Sequence, residues 1–264
     1  AKLAAADYHL FSVAGQSNGW GYLGDRNEGL DEPVPVPEPG TVFYYDQAKD
    51  AIGDASALKD SAGGEYNGAV AGFLHRFAVD YVKATGKKVI FIHKSPGNSG
   101  VVPGVAYGGG NWPDTYRGEL RTKFSAFQAC AARRPEIAGR YAFAGMYWSQ
   151  GEAEVFQLEN RSKTLPELER SLSSLFDGFV ADYGAAYAGR PGEMIRVVLV
   201  SVFAFGSMKN DRFAPDTVHW SASRDLQRHV AEAHPHARMV FFATELFFSQ
   251  GVWQPNNAVH YKQS

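Results

Sequence analysis

Tyr8 to Asn18 reads YHLFSVAGQSN, a short apolar run that breaks at once into a glycine turn carrying a serine. His9 to Ala14 (HLFSVA) is nearly continuous in apolar character, so it reads as a strand covered on both faces. Lys88 to His93 (KVIFIH), Tyr141 to Trp148 (YAFAGMYW), Ile195 to Phe203 (IRVVLVSVF) and Arg238 to Ala243 (RMVFFA) read the same way. Between these runs lie helical patterns. Phe73, Phe77 and Tyr81 recur at four-residue spacing before a stop at Gly86. Leu120, Phe124, Phe127 and Ala131 repeat that spacing, and Leu165 to Tyr183 carries the longest stripe. Leu226, Val230 and Ala233 make the last, with Ser221 or Ser223 as the expected N-cap.

Strand and helix in alternation predict an α/β three-layer sandwich around a central five-stranded parallel sheet. Right-handed crossovers place every strand's C-terminal end on one edge, where such sheets bind ligands. Gly19 to Gly68, which contains the stiff PVPVPEP segment, reads as one long irregular region. No linker divides the chain, so residues 1–264 are expected to form one domain.

Composition removes several classes. Of 264 residues, 26 are basic and 28 acidic, a net charge of −2, so no summed positive field holds a nucleic acid or an anionic membrane. The lone Cys130 can form neither an internal disulfide nor a cysteine-based metal cluster. No apolar run approaches the roughly 20 residues that span a bilayer, and Ala1 to Asp7 lacks the pattern of a signal peptide. The compartment stays unassigned. Aromatic residues make up 14% of the chain. Trp20, Tyr22, Tyr107, Trp112 and Trp253 fall in expected strand-end loops, where they either stack on sugar rings or pack in the core.

The chemistry sits just after the strands. Gly15-Gln16-Ser17-Asn18-Gly19 matches the G-x-S-x-G turn that exposes a serine hydroxyl. Its place after the first strand argues against an α/β-hydrolase. The second strand leads into Lys94-Ser95-Pro96-Gly97-Asn98-Ser99-Gly100, where a glycine amide can face a ligand unobstructed. Trp148-Ser149-Gln150-Gly151-Glu152 follows the third, with a carboxamide able to donate to a developing oxyanion. In the loop after the fifth strand, His260 can act as general base, with Asn257 three residues before it to orient the ring. Asp216 and His219 form a competing pair beyond the fourth strand. Gly108-Gly109-Gly110 reads as a flexible loop, and His234-Pro235-His236 as an exposed helix end.

Together, AGQSN, K-x-x-G-x-S, WSQGE and the final His-Tyr pair resemble the SGNH hydrolases, and within them the sialate O-acetylesterase and carbohydrate acetylesterase branch. Trp220, Arg224 and Gln227 are similar to that branch's W-x-x-x-R-x-x-Q helix. The resemblance implies that Ser17 is the nucleophile and that its amide, the Gly97 amide and the Gln150 side chain form the oxyanion hole. His260 is then the base, and Glu152 organises the Gln150 loop. The implied reaction removes acetyl from a glycan such as sialic acid or a surface polysaccharide, with no metal or cofactor. Two features depart from the family. Asn257 stands where members carry aspartate, and only four residues follow His260 where members continue into a closing helix. Truncation, processing or a partner chain would explain the second. Other readings are a glycan-binding module without catalysis, motivated by Asn257, and an esterase for non-sugar acyl esters. A free-standing enzyme, a homo-oligomer and a module of a phage tail fit the sequence equally.

Overall fold

The computed structural model describes residues 2–16, 36–57, 73–105, 109–159, 161–198, 217–241, 253–254 and 257–261. After a helical turn at Lys2–Ala5 come β1 (Tyr8–Gly15), β2 (Val42–Asp46), β3 (Ala51–Asp54), α1 (Phe73–Thr85) and β4 (Lys88–Lys94). Next follow α2 (Arg117–Ala132), β5 (Tyr141–Ser149), α3 (Glu152–Glu159), α4 (Leu165–Tyr183) and β6 (Ile195–Val198). The chain closes with α5 (Thr217–Ala233), β7 (Ala237–Phe241), β8 (Trp253–Gln254) and β9 (Asn257–Tyr261).

The five expected strands are β1, β4, β5, β6 and β7, and they lie in the parallel order β4-β1-β5-β6-β7. Among the described residues the sheet nevertheless has seven strands, not five, because β2 joins β4 in parallel and β3 pairs antiparallel with β2 beyond it. Both additions come from the region read as irregular. Val42-Phe43-Tyr44-Tyr45 has good strand chemistry, but the proline-rich segment before it masks so short a run. β8 and β9 form a separate antiparallel pair.

Side chains alternate across the sheet as a period of two demands. Leu10, Ile90, Ile92 and Phe143 face the cluster that holds Leu120, Phe124, Leu172 and Phe176 of α2 and α4. Phe11, Val13, Val89 and Phe91 face the opposite cluster, against Phe77 and Tyr81 of α1. Helices therefore cover both faces. Cys130 is buried on α2. The helix expected to start at Ser221 or Ser223 starts at Thr217, and Ser223 is buried inside it. His234 is also buried, although the sequence reads its turn as exposed; its ring meets the edge of Phe176. Among the described residues, no helix is long and apolar enough to cross a membrane.

From β1 the chain runs out to β2 and β3, returns to β4 at β1's side, and then crosses to β5 on the other side. The winding reverses at β1, and in open α/β sheets ligands bind beyond the C-terminal strand ends at such a reversal, here those of β4, β1 and β5. Gly15 closes β1 at φ +144°, and a Cβ there would sit 1.9 Å from the Ser149 carbonyl oxygen. Gly15→Ala should therefore cost about 4 kcal/mol through backbone strain and overlap. Urea unfolding reads this directly, and an unchanged midpoint would refute the close packing of β1 on β5 at this point.

Candidate active site

Each of the three strands at the reversal ends in one of the sequence motifs. Gln16 leaves β1 with its amide donating to the Ser149 carbonyl at 2.9 Å, so the first step out of the strand is still tied to β5. The Gly15 carbonyl accepts the indole Nε1–H of Trp112 at 2.9 Å and the Ser99 hydroxyl at 3.2 Å. The chain thus enters Ser17 from an anchored, buried dipeptide. Ser17 itself lies outside the described residues, as do Trp20, Tyr22 and Tyr107.

Trp112 is completely buried, with its ring 5.1 Å from that of Trp148 and 5.8 Å from that of Phe179. It is not part of a sugar platform. A tryptophan in a strand-end loop fits either role by sequence, and here the indole N–H is needed at the Gly15 carbonyl. For Trp253 the structure gives a backbone position in β8.

The loop after β4 is braced from behind. The Gly109 amide donates to the Asn98 carbonyl at 2.9 Å, and the Gly100 amide donates to the Gly110 carbonyl at 3.1 Å. A Cβ on Gly109 would sit 1.9 Å from the Gly97 carbonyl oxygen, so glycine is required there by close approach. Gly109 and Gly110 are therefore a backing for the Gly97 turn, not a free loop; Gly108 lies outside the described residues. Gly97 is exposed, and open space surrounds the position a Cβ would take. Among the described residues, none accepts its amide.

Gln150 holds the three loops together. Its Nε2 donates to the Ser99 carbonyl at 3.0 Å and to the Glu154 carboxylate, with Gln16 Oε1 further off at 3.5 Å. Two acceptors flank this atom, which fixes it as the nitrogen of the carboxamide. The Gln150 carbonyl accepts from the Gln227 side chain, and the Gly151 carbonyl from Ser223 Oγ at 3.4 Å. Gln227 is the last residue of the Trp220-Arg224-Gln227 pattern, so α5 serves to clamp this loop. Trp220 is buried in the same helix.

Glu154 was not singled out by sequence reasoning. Glu152, the expected organiser, is buried at the first residue of α3, but the carboxylate bonded to Gln150 belongs to Glu154, one helical turn after it. That i, i+4 spacing from Gln150 is the signal that could have found it. Its other oxygen accepts the Val101 amide at 2.8 Å. Burial pushes the Glu154 carboxyl up to about 7, against the lowering by the N–H bonds from Val101 and Gln150, and the neighbouring Glu152 adds to the rise. A glutamate in the unfolded chain titrates near 4.5, below the folded value. The folded protein then binds more protons across that window, and its stability falls as pH rises from about 4.5 to about 7. The loss is about 3 kcal/mol in total. Urea titrations of Glu154→Gln should lack this slope, and a slope equal to the parent's would assign it to another group.

The remaining expected site residues stand as follows. Asn257 and His260 lie within β9, with Asn257 opposite Gln254 and Tyr261 opposite Trp253, rather than in an open strand-end loop. Val259 and Tyr261 favour that strand. His219 lies in the first turn of α5, partly buried, and Asp216 falls outside the described residues.

No family model matches the chain, and no curated protein does. Solved structures do. A protein from Arabidopsis thaliana, determined by X-ray diffraction at 1.6 Å, superposes with a TM-score of 0.60 at 12% identity, over 98% of this chain and 92% of that one. NanS superposes with a TM-score of 0.55, also at 12% identity, with the same two coverages. At such identity the likeness is one of fold.

Proposed function

We propose that this protein is a serine esterase of the SGNH type, formed by residues 1–264 as one domain, that removes O-acetyl groups from a glycan. The observation that carries the reading is that β1, β4 and β5 lie side by side where the winding reverses, with Gly15 and Gln16, Ser99 and Gln150 hydrogen-bonded to one another at their C-terminal ends. The shared fold of NanS and the Arabidopsis protein is consistent with it.

In this reading Ser17 Oγ attacks the acetyl carbonyl while His260 takes its proton. The tetrahedral oxyanion is held by the amides of Ser17 and Gly97 and by Gln150. His260 then returns the proton to the departing sugar oxygen. Water, deprotonated by the same ring, releases acetate and restores Ser17. Both Gln150 N–H bonds are already directed at the Ser99 carbonyl and Glu154, so the oxyanion shares one of them in a three-centre bond. That engagement, with Asn257 in place of a carboxylate, favours as second reading a module that binds acetylated glycan without turnover. Acetate release by the purified protein from acetylated sialic acid, acetylated polysaccharide and p-nitrophenyl acetate separates the readings. Turnover supports the esterase, and glycan binding without acetate release supports the module.

A further inference from the structure

Glu154 carries a buried carboxyl group with two donors, one from the loop after β4 and one from the loop after β5. Val101, which closes the loop after β4, gives its backbone N–H to Oε1 at 2.8 Å, and Gln150, which opens the loop after β5, gives its Nε2–H to Oε2. Gln150 in turn reaches back to the Ser99 carbonyl at 3.0 Å, closing a ring of bonds between the two loops. Gln227 from α5 fixes the Gln150 carbonyl from behind. A side chain placed in this way decides where the Gln150 carboxamide points and how far Gly97 stands from it.

We propose that Glu154 is a positioning residue of the esterase site: it locks the Gln150 carboxamide and the Gly97–Val101 loop into one unit, so that both oxyanion donors are set together. The inference rests on the esterase reading above. Only a carboxylate accepts on both oxygens. Glutamine at this position has the same shape but turns one contact into donor against donor, with either the Val101 amide or Gln150. Aspartate keeps the charge but is one methylene too short to reach both donors from α3.

The test is a double-mutant cycle on p-nitrophenyl acetate above about pH 8, where the Glu154 carboxyl, pushed up to about 7, is ionised, with thermal melts to establish that each variant is folded. Glu154→Gln should lower kcat about 10²-fold with KM within about twofold, as expected when a transition-state donor is misaligned. Gln150→Ala should do the same. The double variant should be no slower than Gln150→Ala within about threefold, because Glu154 acts through Gln150. If Glu154→Gln does not fold, Glu154→Asp takes its place in the cycle with the same expectation. An unchanged kcat, a loss confined to KM, or losses that multiply in the double variant would overturn the positioning role while leaving the esterase intact. A parent protein that hydrolyses no acetyl ester would overturn both.

Discussion

Ser17→Ala lowers kcat for p-nitrophenyl acetate by about 10⁵- to 10⁶-fold, the scale on which serine hydrolases depend on their nucleophile, and leaves the melting temperature where it was. The two halves of this expectation have separate grounds. In the proposed mechanism turnover depends on the hydroxyl of Ser17, which follows Gly15-Gln16 in sequence. Stability depends on what precedes it: Trp112 and Ser99 on the Gly15 carbonyl, and the Gln16 amide on the Ser149 carbonyl. None of these bonds uses the Ser17 side chain. Kinetics and a melt of the same preparation check both halves. Activity retained within tenfold would remove Ser17 as nucleophile, and loss of activity by unfolding would show that the turn is held differently.

His260→Ala lowers kcat by about 10⁴-fold or more, whereas His219→Ala changes it by less than about threefold. The base must become an imidazolium in the course of the reaction. His219 lies in the first turn of α5, in the helix that clamps the Gln150 loop through Gln227 and Ser223. His260 lies in β9 and belongs to the motif that ends the family resemblance. Measuring both variants side by side decides the matter. The reverse order of effects would assign the base to His219 and its neighbour Asp216.

Much of the framework was legible because strands buried on both faces carry a strong apolar signal. The described residues of each of the five expected runs, from HLFSVA to RMVFFA, lie in a strand of the sheet; 199–203 and 242–243 fall outside the described residues. The missed pair, β2 and β3, occupies an edge next to proline-rich sequence, and their four or five residues are too few to stand out. α3 was missed for a different reason. Glu152 and Glu154 make Glu152–Glu159 look like a polar loop, but both side chains are buried. Burial of a charge depends on partners from distant segments, here Val101 and Gln150 for Glu154, and no local pattern displays them. Trp112 was ambiguous for a similar reason, since its role depends on the Gly15 carbonyl at the end of another strand.

The motifs named loops that the fold brings side by side, but not the residues that hold those loops together. Gln150 emerged from WSQGE, while the residues that hold it, Glu154, Ser99 and Gln227, became visible only once the chain was folded. The run of glycines at 108–110 looked like slack, and Gly109 proves to be where two backbones come too close for a side chain.

The claim on which the rest depends is that Ser17 carries the acyl group. Mixing the protein with p-nitrophenyl acetate, quenching in acid and mapping peptides by mass spectrometry tests it without relying on a mutant. The account predicts one acetyl adduct, on Ser17 in the peptide that follows β1, absent from Ser17→Ala and accumulating in His260→Ala more slowly than in the parent. Turnover with no adduct on Ser17, or an adduct on another serine, would contradict it.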